Sequence, residues 1–492
     1  MKRFPVLDAQ ASVGLSRITL LGAVLALSAC AAVGPDYQRP EPRLPHAFEP
    51  SRTTSAPDAA VLAPRWWMLF EDARLNTLVQ SALERHPDAR AAAARVDETE
   101  AVLVQARAAR LPEVGLQGAS TLTRATQVGA VPLPAGIPVN QESHRYVLST
   151  TFEIDFWGRL RRADEAARAQ ALGSQYGREV VSLALASATV QTYLALRTLD
   201  AQSAVSQSAL RSREESLDLV RKRAAAGLVS DLDLAQATAA LADARVALTE
   251  LERQRSLVEN QLAALTGEPG LKLTVTEGLG VLPLPPVPPP GLPSSLLDRR
   301  PDVMQAEQTL VSATALIGVA KAAEYPTFSL TAFLGGQAAD LGNVLVGGGR
   351  VGQLGASVFW PVIDAGRYAA RTREAQARAE QAAAAYDKAV LNAWKEVADA
   401  LSSLDASRRA EAEVQTRLQA SREALRLATA RYERGYSGYL DVLDAQRTFS
   451  AAEQAAVSAR QAQLGASVDL MKALGGGWTP ATPVATHLSP TR

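Results

Sequence analysis

The sequence predicts a mainly α-helical protein with a smaller β part, built twice from the same elements. Two stretches of 69 residues, 158–226 and 366–434, contain no proline and have the composition of long helices. Two pairs of shorter segments alternate apolar and polar residues with a period of two, as strands do. The motif around Gly227 also returns 208 positions later around Gly435. This spacing indicates an internal two-fold repeat.

The start of the chain has the pattern of an exported lipoprotein. A basic beginning precedes an apolar run that is too short to span a bilayer, and the run ends in "LSAC" at Cys30, the only cysteine. We therefore predict a signal peptide over 1–29 and a lipid on the thiol of Cys30. An ordinary signal peptide followed by an incidental cysteine is the alternative. The proline-rich segment 30–64 is predicted to be an extended strap.

Composition argues against nucleic-acid binding and against catalysis. The chain has 51 Lys plus Arg and 51 Asp plus Glu, so it carries no net charge that would attract an anionic partner such as nucleic acid. The four histidines have no metal-ligand spacing, and "GGGRVG" at 347–352 lacks the Lys-Ser/Thr of a phosphate loop. No nucleophile elbow is present. We expect no enzyme activity, no cofactor and no metal site.

The first repeat is predicted to occupy 65–282. After short helices, which include a 24-residue helical stretch between Pro87 and Pro112, the order is a strand pair, one long helix and a shorter return helix. The short helix is expected to stack on the end of the return helix, so that the two together match the long one. The predicted bounds are about 112–156 for the strand pair with a loop at about 129–143, 158–226 for the long helix, and 231–266 for the return helix.

A polyproline linker, 283–293, leads to the second repeat, 294–477, and a short tail, 478–492. The second repeat has the same order of elements as the first. Its predicted bounds are 302–325 for the short helix, about 326–363 for the strand pair with a loop at about 335–350, 366–434 for the long helix, and 438–474 for the return helix.

The four predicted strands require more than one copy of the chain if they lie in lipid. Each strand reaches the roughly 9–11 residues that a tilted strand needs to cross a bilayer. A sheet in lipid cannot keep open edges, because unpaired backbone groups have no water to bind there. Two copies would supply eight strands and a barrel filled by side chains, whereas three would supply twelve and leave a lumen.

Several motifs are similar to those of the lipoprotein branch of the TolC-like outer membrane efflux channels. The resemblance runs from Cys30 to about Gly476 and includes "GPDYQRPE", "EIDFWGRLRR", "PVIDAGR" and "GYSGYLDVLDAQ". It implies a homotrimer with a 12-stranded transmembrane β-barrel, four strands from each protomer, joined to an α-helical barrel in the periplasm. It also implies outer membrane lipid, a periplasmic adaptor protein and an inner-membrane pump, expected to be of the RND type, as partners.

The two glycine motifs are expected to form the periplasmic tips of helical hairpins. Gly227 and Gly435 suit the left-handed conformation that ends many helices, and Ser230 or Asp231 and, in the second motif, Ser437 are candidate caps for the helices that follow. By resemblance, these tips dock the adaptor. The resemblance also implies that five residues hold or line the closed entrance: Asp233, Tyr432, Leu440, Asp441 and Asp444.

Spacing alone leaves a second interpretation of the carboxylates open, in which they are solvated residues favoured by helix N-termini. Ser437 also stands where some members of the family have an arginine in this network, so part of the closing ion-pair scheme is expected to be absent. For the whole chain, the alternative function is a lipid-anchored periplasmic coiled-coil adaptor or structural protein. That alternative does not predict the strand pairs.

Overall fold

The computed structural model describes residues 32–41, 44–45, 48, 64–126, 128, 133–134, 136–274, 282–286 and 297–478. The predictions for Cys30, the signal peptide, most of the linker and nearly all of the tail lie outside these residues. A short 3₁₀ turn, Trp66–Phe70, precedes the regular elements. In chain order these are α1 (Ala73–Arg85), α2 (Pro87–Ala108), β1 (Glu113–Arg124), β2 (Asn140–Ile154), α3 (Arg159–Ala225), α4 (Asp231–Thr266), α5 (Pro301–Ala322), β3 (Thr327–Ala338), β4 (Arg350–Phe359), α6 (Arg367–Glu433) and α7 (Tyr439–Ala473).

The prolines mark the starts of α2 and α5 but not their ends. Pro87 and Pro301 are the first residues of these 22-residue helices, where the missing N–H costs nothing. The predicted ends near 111 and 325 are three residues too late. After Ala108 the amides of Arg110 and Leu111 bond to carbonyls three residues back, which tightens and ends the helix before the next proline.

The four strands form one antiparallel sheet in the order β1-β2-β3-β4. The strand pairs of the two repeats are therefore joined through β2 and β3. One row across the sheet pairs Leu116 with Leu148, Leu148 with Leu334, and Leu334 with Gly352. The three leucines of this row are exposed. Within the described residues, β1 and β4 each have a strand partner on one side only.

The loops that join the strands are shorter than the glycines suggest. A loop is predicted at about 335–350, yet β3 continues through Gly335 and Gly336 to Ala338. A Cβ on Gly335 would lie 2.1 Å from the carbonyl oxygen of Tyr146, and one on Gly336 would lie 1.8 Å from that of Val344. These glycines are thus required by close backbone approach inside the strand. The predicted loop at about 129–143 also runs too far, since β2 begins at Asn140.

Two compact units can be distinguished, and each draws on both sequence repeats. One comprises the described residues up to Pro40, Asp97–Gly173 and Ala306–Tyr386, and it contains the sheet. The other comprises Glu41–Val96, Ser174–Gln305 and the described residues from Asp387 onward. The main hydrophobic core of the second unit combines aromatic residues of the 3₁₀ turn Trp66–Phe70 with residues of α1, α3, α4 and α7. Its members include Trp66, Phe70, Leu75, Tyr193, Leu262, Leu464 and Met471.

The ends of α4 and α7 make the same kind of close contact with the residues that precede a short helix. Gly267 and Gly475, both with positive φ, end these helices. A Cβ on Gly267 would lie 3.1 Å from the Cβ of Arg85, and one on Gly475 would lie 2.5 Å from the carbonyl oxygen of Arg299. Arg85 and Arg299 each stand two positions before the proline that starts α2 or α5. The end of each return helix thus lies beside the start of a short helix.

By length and composition, α3 is the one described helix that could cross a membrane, over an 18-residue window. Half of that window is buried inside the protein. A long helix in a protein core passes the same test, so this feature is weak evidence for a span.

Candidate functional site at the hairpin tips

The first tip, 226–230, ends α3 with a hydrogen-bond pattern that needs glycine. The amide of Gly227 donates to the carbonyl oxygen of Ala224 at 2.9 Å, and the amide of Leu228 donates to that of Arg223 at 2.9 Å. These two bonds are the Schellman motif, which requires a left-handed residue at its centre. Gly227 has φ +70°, and nothing lies within 4 Å of the position of a Cβ. Backbone conformation, not space, therefore requires glycine here.

The second tip, 434–438, repeats this geometry at the end of α6. The amide of Gly435 donates to the carbonyl oxygen of Tyr432 at 3.0 Å, and the amide of Tyr436 donates to that of Arg431 at 2.8 Å. Gly435 has φ +78° and open space around it. The expectation that both glycines end the long helices in the left-handed conformation is confirmed by these angles.

The two tips differ in how the next helix begins. At the first tip, Ser230 and Asp233 form a capping box. The Ser230 hydroxyl accepts from the amide of Asp233 at 3.3 Å, and Asp233 Oδ2 accepts from the amide of Ser230 at 3.1 Å. Asp233 is therefore engaged in starting α4. Of the two candidate caps at this tip, Ser230 is the cap and Asp231 is the first helical residue.

At the second tip the predicted cap is wrong. The N-cap of α7 is Gly438, which has no side chain to accept a bond. Ser437 lies one position too early, and its hydroxyl oxygen is buried without a hydrogen-bond partner among the described residues. The first amides of α7 thus lack the side-chain acceptor that α4 has.

Behind the tips, the four helices share a small hydrophobic core. Tyr432 and Tyr439 are 5% and 3% exposed, and their ring centroids are 5.8 Å apart. Burial raises the pKa of the Tyr439 hydroxyl. Tyr432, one of the predicted entrance residues, has its ring buried in this core within one protomer. The core consists of Leu217, Val220, Ala237, Ala240, Leu241, Tyr432, Tyr439, Val442 and Leu443.

Arg223, for which the sequence indicated no role, connects the two tips. Its guanidinium carbon lies 4.5 Å from the centre of the Tyr432 ring. Its Nη1 and Nη2 donate to the carbonyl oxygens of Tyr432 at 3.4 Å and Glu433 at 3.3 Å. A signal was present in the repeat, since Arg431 occupies the position equivalent to Arg223. Arg431, however, is exposed.

The three remaining predicted entrance residues lie together on the first turns of α7. Leu440 is 57% exposed. Asp441 and Asp444 are also exposed, and their spacing of three places them on the same face of the helix. The structure thus divides the five predicted residues into an exposed group of three, and two residues, Asp233 and Tyr432, whose contacts hold the tips.

The start of the described chain is fastened to the unit that contains the sheet. The amide of Val33 donates to the carbonyl oxygen of Trp157 at 2.9 Å. Three glycines permit the approach, because a Cβ on Gly34, Gly158 or Gly318 would lie 2.5–2.6 Å from atoms of its neighbour. Further along, Arg39 forms a bidentate pair with Glu307, at 2.9 and 2.7 Å. In the sequence, Val33 follows Cys30 after only two alanines.

Comparison with known proteins agrees with this architecture. The family model described as outer membrane efflux protein matches residues 78–268 and 292–476. Outer membrane protein OprJ of Pseudomonas aeruginosa is 32% identical, over 96% of this chain and 98% of its own length. The toluene efflux pump outer membrane protein TtgC of Pseudomonas putida is 33% identical, over 96% of this chain and 98% of its own length.

Among solved structures, the outer-membrane channel OprN matches with a TM-score of 0.84 and 31% identity, over 92% of this chain and 100% of that one. The family and the fold class that the sequence predicted are thereby confirmed. Within the described residues, no group of three or more His, Cys, Asp or Glu side chains could hold a metal ion. The chain belongs to the outer membrane efflux protein family and is an efflux channel subunit with the TolC-like fold.

Proposed function

We propose that three copies of this chain form a tube that serves as the passive exit duct of a tripartite efflux system in the outer membrane. The sheet carries this proposal. It has only four strands, its apolar row Leu116, Leu148 and Leu334 is exposed, and β1 and β4 each lack a second partner among the described residues. Three such sheets, joined β4 to β1, would close a 12-stranded barrel with no free edge.

The proposed oligomer can be tested directly. Outer-membrane fractions should contain a species of three chains that survives mild detergent and separates into single chains on heating. A single chain in solution would contradict the duct. The same result would favour the lipid-anchored coiled-coil alternative, although that alternative leaves the exposed strands without a role. We propose transport rather than catalysis, because the known members of the family are channels.

We also propose that the two tips are where a periplasmic adaptor docks, with an inner-membrane pump of the RND type beyond it. The tips support this role, since both are exposed turns of the same geometry. Gly227 and Gly435 end the long helices there, and Arg223 links the two turns. Site-specific cross-linking from Leu228 and Tyr436, which follow the two glycines, should capture the adaptor in cells. Cross-linking from Leu345, on the β3–β4 loop, is the matched control and should not.

The proposed cargo is a small molecule such as a drug or another toxic compound, or a metal ion. The names of the relatives support this range, since TtgC belongs to a toluene efflux pump and another relative is the cation efflux system protein CusC of Escherichia coli. Deleting the gene and measuring susceptibility to drugs, solvents and metal salts would identify the class. An unchanged profile, in a strain whose candidate pumps are present, would contradict the efflux role.

We propose that Leu440, Asp441 and Asp444 narrow the entrance in the oligomer, while Asp233 and Tyr432 hold the tips that carry it. Three copies would arrange the exposed carboxylates as a ring, and acidic rings favour cations. The double variant Asp441→Ala with Asp444→Ala should raise single-channel conductance and reduce cation selectivity. Asp231→Ala is the matched control, because it removes an exposed acid of the first turn of α4. Unchanged conductance and selectivity in the double variant would remove the gate.

We propose further that Cys30 carries the lipid that anchors the mature chain to the outer membrane. The fastened segment from Val33 supports this, because it fixes the chain close to the lipidation residue. Metabolic labelling with palmitate should mark the wild type and not Cys30→Ser. Label on the Cys30→Ser variant would contradict the assignment.

A further inference from the structure

A cavity of about 190 Å³, lined by both polar and apolar side chains, lies behind the tips, between α3, α6 and α7. Its walls include Ser212 and Arg213 of α3, Leu425 of α6, and Gln446 and Glu453 of α7. A space of this size has room for several waters or for a small polar ligand. The cavity is separate from the exposed group Leu440, Asp441 and Asp444 and from the glycines of the tips.

Arg213, which is half buried, brings a positive charge to this cavity. Its Nη1 is buried and has no hydrogen-bond partner among the described residues. Burial lowers the pKa of this guanidinium, and the nearby charge of Arg447 on α7 lowers it further, while Asp243 acts in the opposite direction. Within the described residues, neither arginine has a carboxylate at ion-pair distance. The residue is half buried, but its Nη1 has neither solvent contact nor a described acceptor, and a charged donor in that position is unfavourable. An occupant that accepts this hydrogen bond and supplies negative charge is therefore expected here.

Gln446 provides the second independent observation. Its side chain is 8% exposed. The amide nitrogen lies 2.9 Å from the Ser216 hydroxyl and 3.3 Å from the Ser212 hydroxyl, while Oε1 is buried without a partner among the described residues. Serine hydroxyls donate as readily as they accept, so the amide can turn by half a rotation without losing these bonds. Its N–H groups then occupy the position of the unpartnered Oε1, on a side chain that lines the cavity together with Arg213.

We propose that this cavity binds a small oxyanion of the phosphate or carboxylate class, held by Arg213 and the Gln446 amide. Hydrogen bonds to charged groups are the strong ones, and a bidentate guanidinium suits such an anion. The bound anion offsets the repulsion between Arg213 on α3 and Arg447 on α7. It thereby holds the start of α7 against α3, a short distance behind the second tip.

Glu453 sets the strength of this site. Its carboxylate lines the same cavity and opposes an anion while it is ionised. Burial raises the pKa of this carboxyl group, and Arg422 on α6 partly reverses the effect. Replacing Glu453 with Gln removes the charge and keeps the shape, so the proposal requires tighter binding in that variant. A merely structural role for the cavity does not require this.

The test is titration of the full-length, detergent-solubilised protein with inorganic phosphate, against chloride at matched ionic strength. Phosphate should raise the unfolding temperature of the wild type. Arg213→Gln should weaken the apparent affinity by about ten- to a hundredfold, and Glu453→Gln should strengthen it. Arg221→Gln, which removes an exposed arginine of the same helix, should leave the affinity unchanged.

Three outcomes would overturn the proposal. Equal phosphate binding by the wild type and Arg213→Gln would place the anion elsewhere. No response of the wild type to phosphate, together with loss of the oligomer in Arg213→Gln, would show that a carboxylate of a second copy fills the cavity. If Arg213→Gln fails to fold, Glu453→Gln still decides the matter, because unchanged or weaker binding in that variant contradicts the site. None of these measurements depends on transport.

Discussion

Arg223, near the end of the first long helix, lies over the ring of Tyr432, near the end of the second, at 4.5 Å. The same guanidinium donates to the carbonyl oxygens of Tyr432 and Glu433. These carbonyls belong to the last turn of α6, where the backbone acceptors have no partner within the helix, although that of Tyr432 also accepts from the amide of Gly435 in the turn. One side chain from the first repeat thus completes the end of a helix in the second.

Arg223→Gln should loosen the second tip. The variant loses the cation–π contact and both carbonyl bonds, which together are worth about 1–2 kcal/mol for a partly exposed group. Hydrogen exchange should quicken at the amides of Gly435 and Tyr436. Arg431→Gln is the matched control, because it removes the arginine at the equivalent, exposed position. Equal exchange in the two variants would contradict the role assigned to Arg223.

Gly435→Ala should destabilise the second tip by about 1 kcal/mol, because an L-residue is strained at φ +78°. Gly435→Asn should cost less, since asparagine tolerates the left-handed region better than alanine does. Hydrogen exchange at residues 431–440 would measure both effects. The order is diagnostic: a greater cost for the larger Asn side chain would indicate that space, and not backbone conformation, requires glycine.

Gly438→Ser should stabilise the start of α7. This position is the N-cap, its φ of −77° and ψ of 167° suit any residue, and a Cβ added there would have no atom within 4 Å. A serine hydroxyl would give the first amides of α7 the acceptor they lack, worth about 0.3 kcal/mol relative to glycine. Slower hydrogen exchange at Asp441 would show the gain. Ser230→Ala, which removes the existing cap of α4, should have the opposite effect at Asp233.

Tyr193 should make the second unit sensitive to alkali. Burial and the hydrogen bond from its hydroxyl to Asp72 Oδ2, at 2.6 Å, raise the pKa of this tyrosine to about 12. A raised pKa means that the folded state holds a proton that the unfolded state loses above about pH 10. Stability from this group is therefore complete below pH 10 and lost as the pH rises toward 12.

Tyr193→Phe should remove this pH dependence, and it should lower stability at neutral pH because Asp72 loses a donor. Asp72 also caps α1, with its Oδ1 accepting from the amides of Arg74 and Leu75. Thermal unfolding at pH 8 and at pH 11 provides the comparison. If the two proteins lose the same stability between these pH values, Tyr193 is not the responsible group.

Local chemistry made the long helices predictable to within one residue. The predicted 158–226 and 366–434 became Arg159–Ala225 and Arg367–Glu433. Each helix lies between two glycines with positive φ: Gly158 and Gly227 for α3, Gly366 and Gly435 for α6. Helix ends of this kind depend on neighbours in the chain, so the sequence displays them.

Features that depend on distant contacts were not predictable. Gly335 and Gly336 have the composition of a loop, and only the approach of Tyr146 and Val344 explains their place in a strand. The link from Arg223 to Tyr432 joins residues 209 positions apart. The cap at the second tip was misplaced by one position, because a serine next to a glycine leaves both positions open until the backbone angles are known.

The two outer strands of the sheet have a genetic consequence. β1 and β4 are different sequences, so a ring of copies must join them head to tail, and every junction uses both. In the proposed assembly, a chain whose β1 or β4 cannot pair leaves one junction between copies open. The intact neighbouring copies cannot close that junction. In a cell that makes both normal chains and chains with a defective outer strand, we expect the defective allele to be dominant.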